Sequence, residues 1–177
     1  MKKSNQKVSV TIDVSPEAAW EVIGAVDGVD KWLAPIQACR LEGNKRYCTT
    51  EGGEFSEDIL QVDHENRVLS YGIPVQHMIP VENILGQMQV RDAANGQATV
   101  KWSWDFDVEE AREEEAKEML AMVGSIGITV IESMLKGSNC RFKQLLYQSP
   151  GGSFKPPGDY SNKHSGHPVF IGYARKS

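Results

Sequence analysis

Between Lys7 and Val14 apolar and polar residues alternate, with Val8, Val10, Ile12 and Val14 on one side and Ser9, Thr11 and Asp13 on the other. A period of two predicts a strand over 7–14 with one buried face. Ser15 offers an N-cap and Pro16 the first helical position, where a missing N–H costs nothing. The helix that follows carries Ala19, Trp20, Val22, Ile23 and Val26 and should stop near Gly28. A second helical piece over 29–33 leads to Pro35, which obliges Ala34 to be extended.

Six more strands are predicted over 36–42, 46–50, 54–63, 67–73, 81–92 and 97–107. They are separated by Glu42-Gly43-Asn44, Gly52-Gly53, Asp63-His64-Glu65-Asn66 and Ala94-Asn95-Gly96, residues that tolerate positive φ. Breaks this tight make hairpins, hence an antiparallel sheet. In the last strand Ala98, Val100, Trp102, Trp104 and Phe106 share a face that must look inward. From Glu109 a long helix begins, its acids suiting the positive end of the helix dipole. Met119, Leu120, Val123, Ile126, Gly127, Val130, Ile131 and Met134 follow helical spacing, with Ala121, Ser125 and Glu132 opposite. Gly137-Ser138-Asn139 marks a kink or stop, beyond which Phe142, Leu145 and Leu146 could extend the stripe. The expected fold class is α+β: a seven-stranded antiparallel sheet whose concave face takes the long helix and leaves a hollow between them.

At 177 residues and 40% hydrophobic content the chain suits one domain, here 1–148, followed by a tail over 149–177 dense in Pro, Gly and Ser. The tail is expected to fold back through Val169 to Tyr173, closing the cavity mouth or meeting a second subunit as a homodimer. From Lys136 onward the net charge is +6 and before it −11, so the basic end is expected to seek the acids over 109–118. An acidic body disfavours nucleic acid as a partner. No signal peptide is visible and the uncharged run from Met119 to Ile131 is short, so no membrane span and a cytoplasmic location are expected. Cys39, Cys48 and Cys140 form no CxxC or even framework and read as free thiols. His164 and His167 lack a cluster of further ligands, and no nucleotide or hydrolase fingerprint occurs, so neither metal nor cofactor is expected.

The order of elements, together with Ser15-Pro16-Glu17-Ala18-Ala19-Trp20, the segment from Trp32 to Pro35 and Trp102 on the last strand, resembles the START-like or SRPBCC superfamily. More narrowly it resembles the polyketide cyclase/dehydrase and lipid-transport group, over about 7–146. The resemblance implies a helix-grip fold, a curved seven-stranded sheet around the C-terminal helix, with an internal cavity for lipids, polyketides or other apolar molecules. Cyclases, dehydratases, receptors, carriers and chaperone-activating modules share that fold.

Chemistry in such a cavity needs an acid or base shifted by burial and a partner that holds it. Alternation puts Phe55, Glu57, Ile59 and Gln61 on one face of their strand. If that face looks inward, Glu57 is the catalytic candidate, with Arg46 on the preceding strand to pair with it and the Tyr71 hydroxyl to donate. The resemblance points to the same Arg and Glu for acid/base work, while Ile84 stands near the position where those enzymes present a cavity tyrosine. Expected ligand contacts are Trp102, Trp104, Phe106, Phe55, Ile84, Met88, Met119, Val123, Ile126, Val130 and Met134. Binding or transport of a small hydrophobic molecule is the expected function, and cyclase or dehydratase chemistry by Glu57 and Arg46 the alternative.

Overall fold

A computed structural model describes residues 1–137; the predicted tail, with Cys140, His164, His167 and 138–177 as a whole, lies outside the described residues. Strand β1 (Lys2–Ile12) is followed by helix α1 (Pro16–Gly24) and a 3-10 turn (Val29–Lys31). Next come β2 (Ala38–Glu42), β3 (Lys45–Thr50), β4 (Gly53–Asp63), β5 (Val68–Ile73), β6 (Val81–Asp92) and β7 (Ala98–Val108). Helix α2 (Glu113–Leu135) closes the series after a 3-10 turn at Glu110–Arg112. The seven strands form one antiparallel sheet in the order β1-β7-β6-β5-β4-β3-β2, a meander with the first strand added beside the last. This is a helix-grip arrangement.

The local signals act as their chemistry demands. Ser15 Oγ accepts the Ala18 N–H at 3.2 Å and Pro16 opens α1. On β7 every second residue from Ala98 to Val108 is buried. Helix α2 ends where Gly137 takes φ 67° and its N–H reaches the Met134 carbonyl at 3.1 Å.

Three expectations need correction. Strand β1 starts at Lys2 rather than Lys7, because its inward Ser4 and Gln6 bond to Glu113 Oε1 (2.6 Å) and the Lys117 carbonyl (3.0 Å) of α2. Gln61 is exposed, because a bulge between Ile59 and Gln61 pushes Leu60 outward and returns Val62 to the core. The most deeply buried face of α2 is Ala116, Leu120, Gly124, Gly127, Ile128, Val130 and Ile131, with Met119, Val123, Ile126 and Met134 half-buried beside it. Small residues are selected there by close approach. A Cβ at Gly124 would lie 2.6 Å from the Trp104 ring and 2.8 Å from Val8, and one at Gly127 would press on Trp32, Leu33 and Trp102.

By length and composition alone, the helical segment Glu110–Leu135 is long and apolar enough to cross a membrane. Here it packs on β1, β7 and α1. Glu113, in the acid run, is already engaged by Lys2 at 2.6 Å and Lys117 at 2.8 Å.

Candidate ligand cavity and its buried ion pair

The face of α2 and the inner surface of the sheet do not meet everywhere, and a cavity of about 60 Å³ is left between them. Its walls come from four places: the segment after α1, strands β3 to β5, the β5–β6 loop, and β6 and β7 under α2. The volume is less than half the roughly 150 Å³ of an engineered apolar cavity that holds benzene.

The hairpin between β3 and β4 sets Arg46 opposite Glu57. Both point inward, at 4% and 6% exposure. Arg46 Nε and Nη2 donate to Glu57 Oε2, and Nη1 donates to the Val26 carbonyl. Val26 holds φ 68°, a left-handed conformation unusual for a β-branched residue, as it hands that carbonyl to the guanidinium. Burial pushes the Glu57 carboxyl above its ordinary value, against the pull of Arg46. Burial works most strongly against the Arg46 charge, but Glu57 with Cys48 and Tyr71 together hold the guanidinium above its usual value. The pair brings no net charge to the cavity.

Tyr71, on β5, lies with its ring 5.9 Å from the Arg46 guanidinium carbon. Its hydroxyl accepts the indole N–H of Trp102 at 2.8 Å and of Trp104 at 3.2 Å. Burial and then the Glu57 charge raise the phenol above its ordinary value. Gly86 makes this possible: it faces Tyr71 across β5 and β6, and a side chain there would occupy the space of the phenol.

Gln76 is buried in the β5–β6 loop. Its Oε1 accepts from the Met78 and Ile79 N–H groups at 2.7 and 2.9 Å, and its Nε2 donates to the carbonyls of Ile79 and Val81. That network holds Met78 and Ile79 against the cavity.

Of the residues expected on sequence grounds, Glu57, Arg46, Tyr71, Trp102, Trp104, Phe55, Ile84, Met88 and Val123 all line the cavity. Phe106, Met119, Ile126, Val130 and Met134 do not. Phe106 is two residues beyond Trp104, opposite Ser4 in the packed core. The later turns of α2 run past the cavity toward the start of α1, where Glu132 accepts the Asp13 N–H at 2.9 Å. Sequence reasoning missed Val29, Trp32, Leu33 and Ile36 after α1, Leu69 and Ile73 on β5, Gln76, Met78 and Ile79 in the loop, and Leu120. The Trp before Pro35 was visible as a feature, and the loop flanked by Pro74 and Pro80 could have drawn attention as a fixed segment. Among the described residues no group of His, Cys, Asp and Glu could hold a metal ion.

Helix-grip geometry defines the class. A family model described as polyketide cyclase / dehydrase and lipid transport matches residues 5–128, and the chain belongs to that family. Solved structures share the fold. The crystal structure of an uncharacterized Bacillus thuringiensis protein has a TM-score of 0.68 at 24% identity, covering 75% of this chain and 99% of that one. The XoxI protein of Bacillus cereus has a TM-score of 0.68 at 26% identity, over 75% and 96%. A Thermobifida fusca protein solved by NMR has a TM-score of 0.65 at 19% identity, over 76% and 95%. No curated protein matches the chain.

Proposed function

We propose that the protein binds a small, mainly hydrophobic molecule in the cavity between α2 and the sheet, as a carrier or sensor. The observation that carries this reading is a largely apolar, aromatic-walled space whose main polar groups are engaged with one another: Arg46 with Glu57, and Tyr71 with two indoles. The family description, which names lipid transport beside cyclase and dehydrase, supports it. A ligand larger than the cavity enters by displacing the Met78 and Ile79 walls of the β5–β6 loop. Native mass spectrometry of protein purified from its own host tests the reading. The expected spectrum shows a mass increment that denaturation releases and that Glu57→Gln retains. A spectrum without any increment, together with no uptake of apolar probes in solution, overturns it.

A cyclase or dehydratase is the second reading, favoured by one observation: Glu57 faces the cavity with its carboxyl raised by burial and an Arg at its side. On that reading Glu57→Gln abolishes turnover of a carbonyl substrate while binding survives.

A further inference from the structure

We infer that the cavity selects ligands carrying an uncharged oxygen acceptor, a small ketone being the simplest, and that the indole N–H of Trp32 is the group that reads it. This rests on the cavity being a ligand site, as proposed above.

Trp32 is 4% exposed and forms part of the cavity wall. Its Nε1 is buried without a hydrogen-bond partner, alone in this among side-chain nitrogens and oxygens of the described residues. The other three tryptophans show what an indole normally does. Trp20 donates to His64 Nδ1 at 3.2 Å, while Trp102 and Trp104 donate to Tyr71. Folded proteins rarely leave such a donor unpaired, and one carried by a residue of the cavity wall points to an acceptor from outside. The Trp32 ring is held by edge packing on Trp102 at 5.8 Å between centroids, so its N–H is a fixed feature rather than a swinging one.

The rest of the wall decides the charge of that acceptor. Arg46 uses one hydrogen on each of Nε, Nη1 and Nη2 for Glu57 and Val26, and its charge is already balanced by Glu57. A carboxylate ligand would enter desolvated, beside the Glu57 charge, with nothing to balance it. A hydrocarbon would leave Trp32 unpaired. Tyr71 adds a second donor, since its oxygen accepts two indole N–H groups and no described residue accepts its own proton. Gln76, by contrast, has both ends of its amide engaged. Beside the second oxygen of Glu57 and the two remaining hydrogens of Arg46, which together bring no net charge, the unused polar capacity of this wall is the neutral donors of Trp32 and Tyr71, which suit a carbonyl oxygen.

Acetone, isobutene and acetate are matched in size and small enough for the cavity, so they separate the outcomes. In proton–nitrogen correlation spectra of the whole chain, acetone should move the Trp32 indole resonance downfield. It should also bind about tenfold more tightly than isobutene, the usual size of one buried neutral hydrogen bond left unmade. Acetate should not bind measurably. Trp32→Phe should abolish the preference for acetone while isobutene binding persists, and the indole shift of the unaltered chain decides the same question if that variant does not fold. Equal binding of acetone and isobutene with the Trp32 resonance unmoved overturns the inference and leaves the cavity reading intact. A bound water that keeps the Trp32 N–H in the presence of acetone overturns it too. If none of the three perturbs any cavity resonance, the cavity reading itself fails and takes this inference with it.

Discussion

Gly86→Ala is the substitution that most sharply tests how the polar end of the cavity is built. A methyl group on residue 86 would lie 2.5 Å from Tyr71 Oη and Cε2, and closer still to Cζ, whereas ordinary contact begins near 3.4 Å. The phenol must therefore retreat by about 1 Å, and the side chain cannot do so while keeping both indole bonds at 2.8 and 3.2 Å. Two buried N–H groups lose their acceptor at roughly 1–3 kcal/mol each, and overpacking adds roughly 1–3 kcal/mol. A loss of at least about 3 kcal/mol is expected, lowering the midpoint of thermal unfolding by about 6–12 °C for a chain of this size. Were residue 86 merely a flexible strand position, alanine would stabilise by about 0.4–1 kcal/mol through the unfolded chain. The two accounts differ in sign. Urea unfolding followed by tryptophan fluorescence and far-ultraviolet circular dichroism measures the change, and Gly86→Ala with Tyr71→Ala together should cost less than the sum of the two single losses, since the clash exists only when both side chains are present. Gly86→Ala with unchanged or raised stability and an unaltered tryptophan spectrum would refute the reasoning.

Three further outcomes follow from other parts of the molecule. Glu57→Leu alone strands a buried guanidinium and should cost about 3–5 kcal/mol, whereas adding Arg46→Met should return most of it; a single variant as stable as the parent in urea would show the pair to be solvated. Glu113 is held at about 2 by Lys117, Lys2 and Ser4, below its unfolded value of 4.5. Its contribution is thus complete above about pH 4.5 and lost as pH falls toward about 2, and the stability gap between parent and Glu113→Gln should close over that window. Cys39 and Cys48 face each other across β2 and β3 with their sulfurs 2.9 Å apart. Facing strand residues fall within disulfide reach, so mild oxidation by a disulfide reagent should join them with the loss of two hydrogens, which peptide mapping detects; a Cys39 alkylated at full rate after that treatment would contradict it.

The parts of the fold governed by local chemistry were readable. The Ser15-Pro16 helix start, the alternation of β7 and the sharing of one face by Phe55 and Glu57 all follow from spacing, and the tight break at Gly52-Gly53 brings Arg46 opposite Glu57. What escaped depends on contacts far apart in the chain. Ser4 and Gln6 look like a solvated start, and only α2 gives them partners. On β4 two apolar sets, Phe55 with Ile59 and Leu60 with Val62, compete for the core, and a bulge admits one member of the second. Apolar spacing on α2 favoured Met119 and Met134 beside Gly127, whereas closeness to Trp104 and Val8 puts Gly124 at the interface as well. Trp32 and Gln76 reach the cavity only through the folding-back of loops, which periodicity does not report.

The left-handed turn at Val26 ties the end of the first helix to the buried guanidinium. Such a conformation costs a branched residue on the order of 1–3 kcal/mol, and burial of the Val26 side chain, 7% exposed in the core, offsets it. Any ligand that tugs the cation would transmit that pull to α1, some twenty residues earlier in the chain.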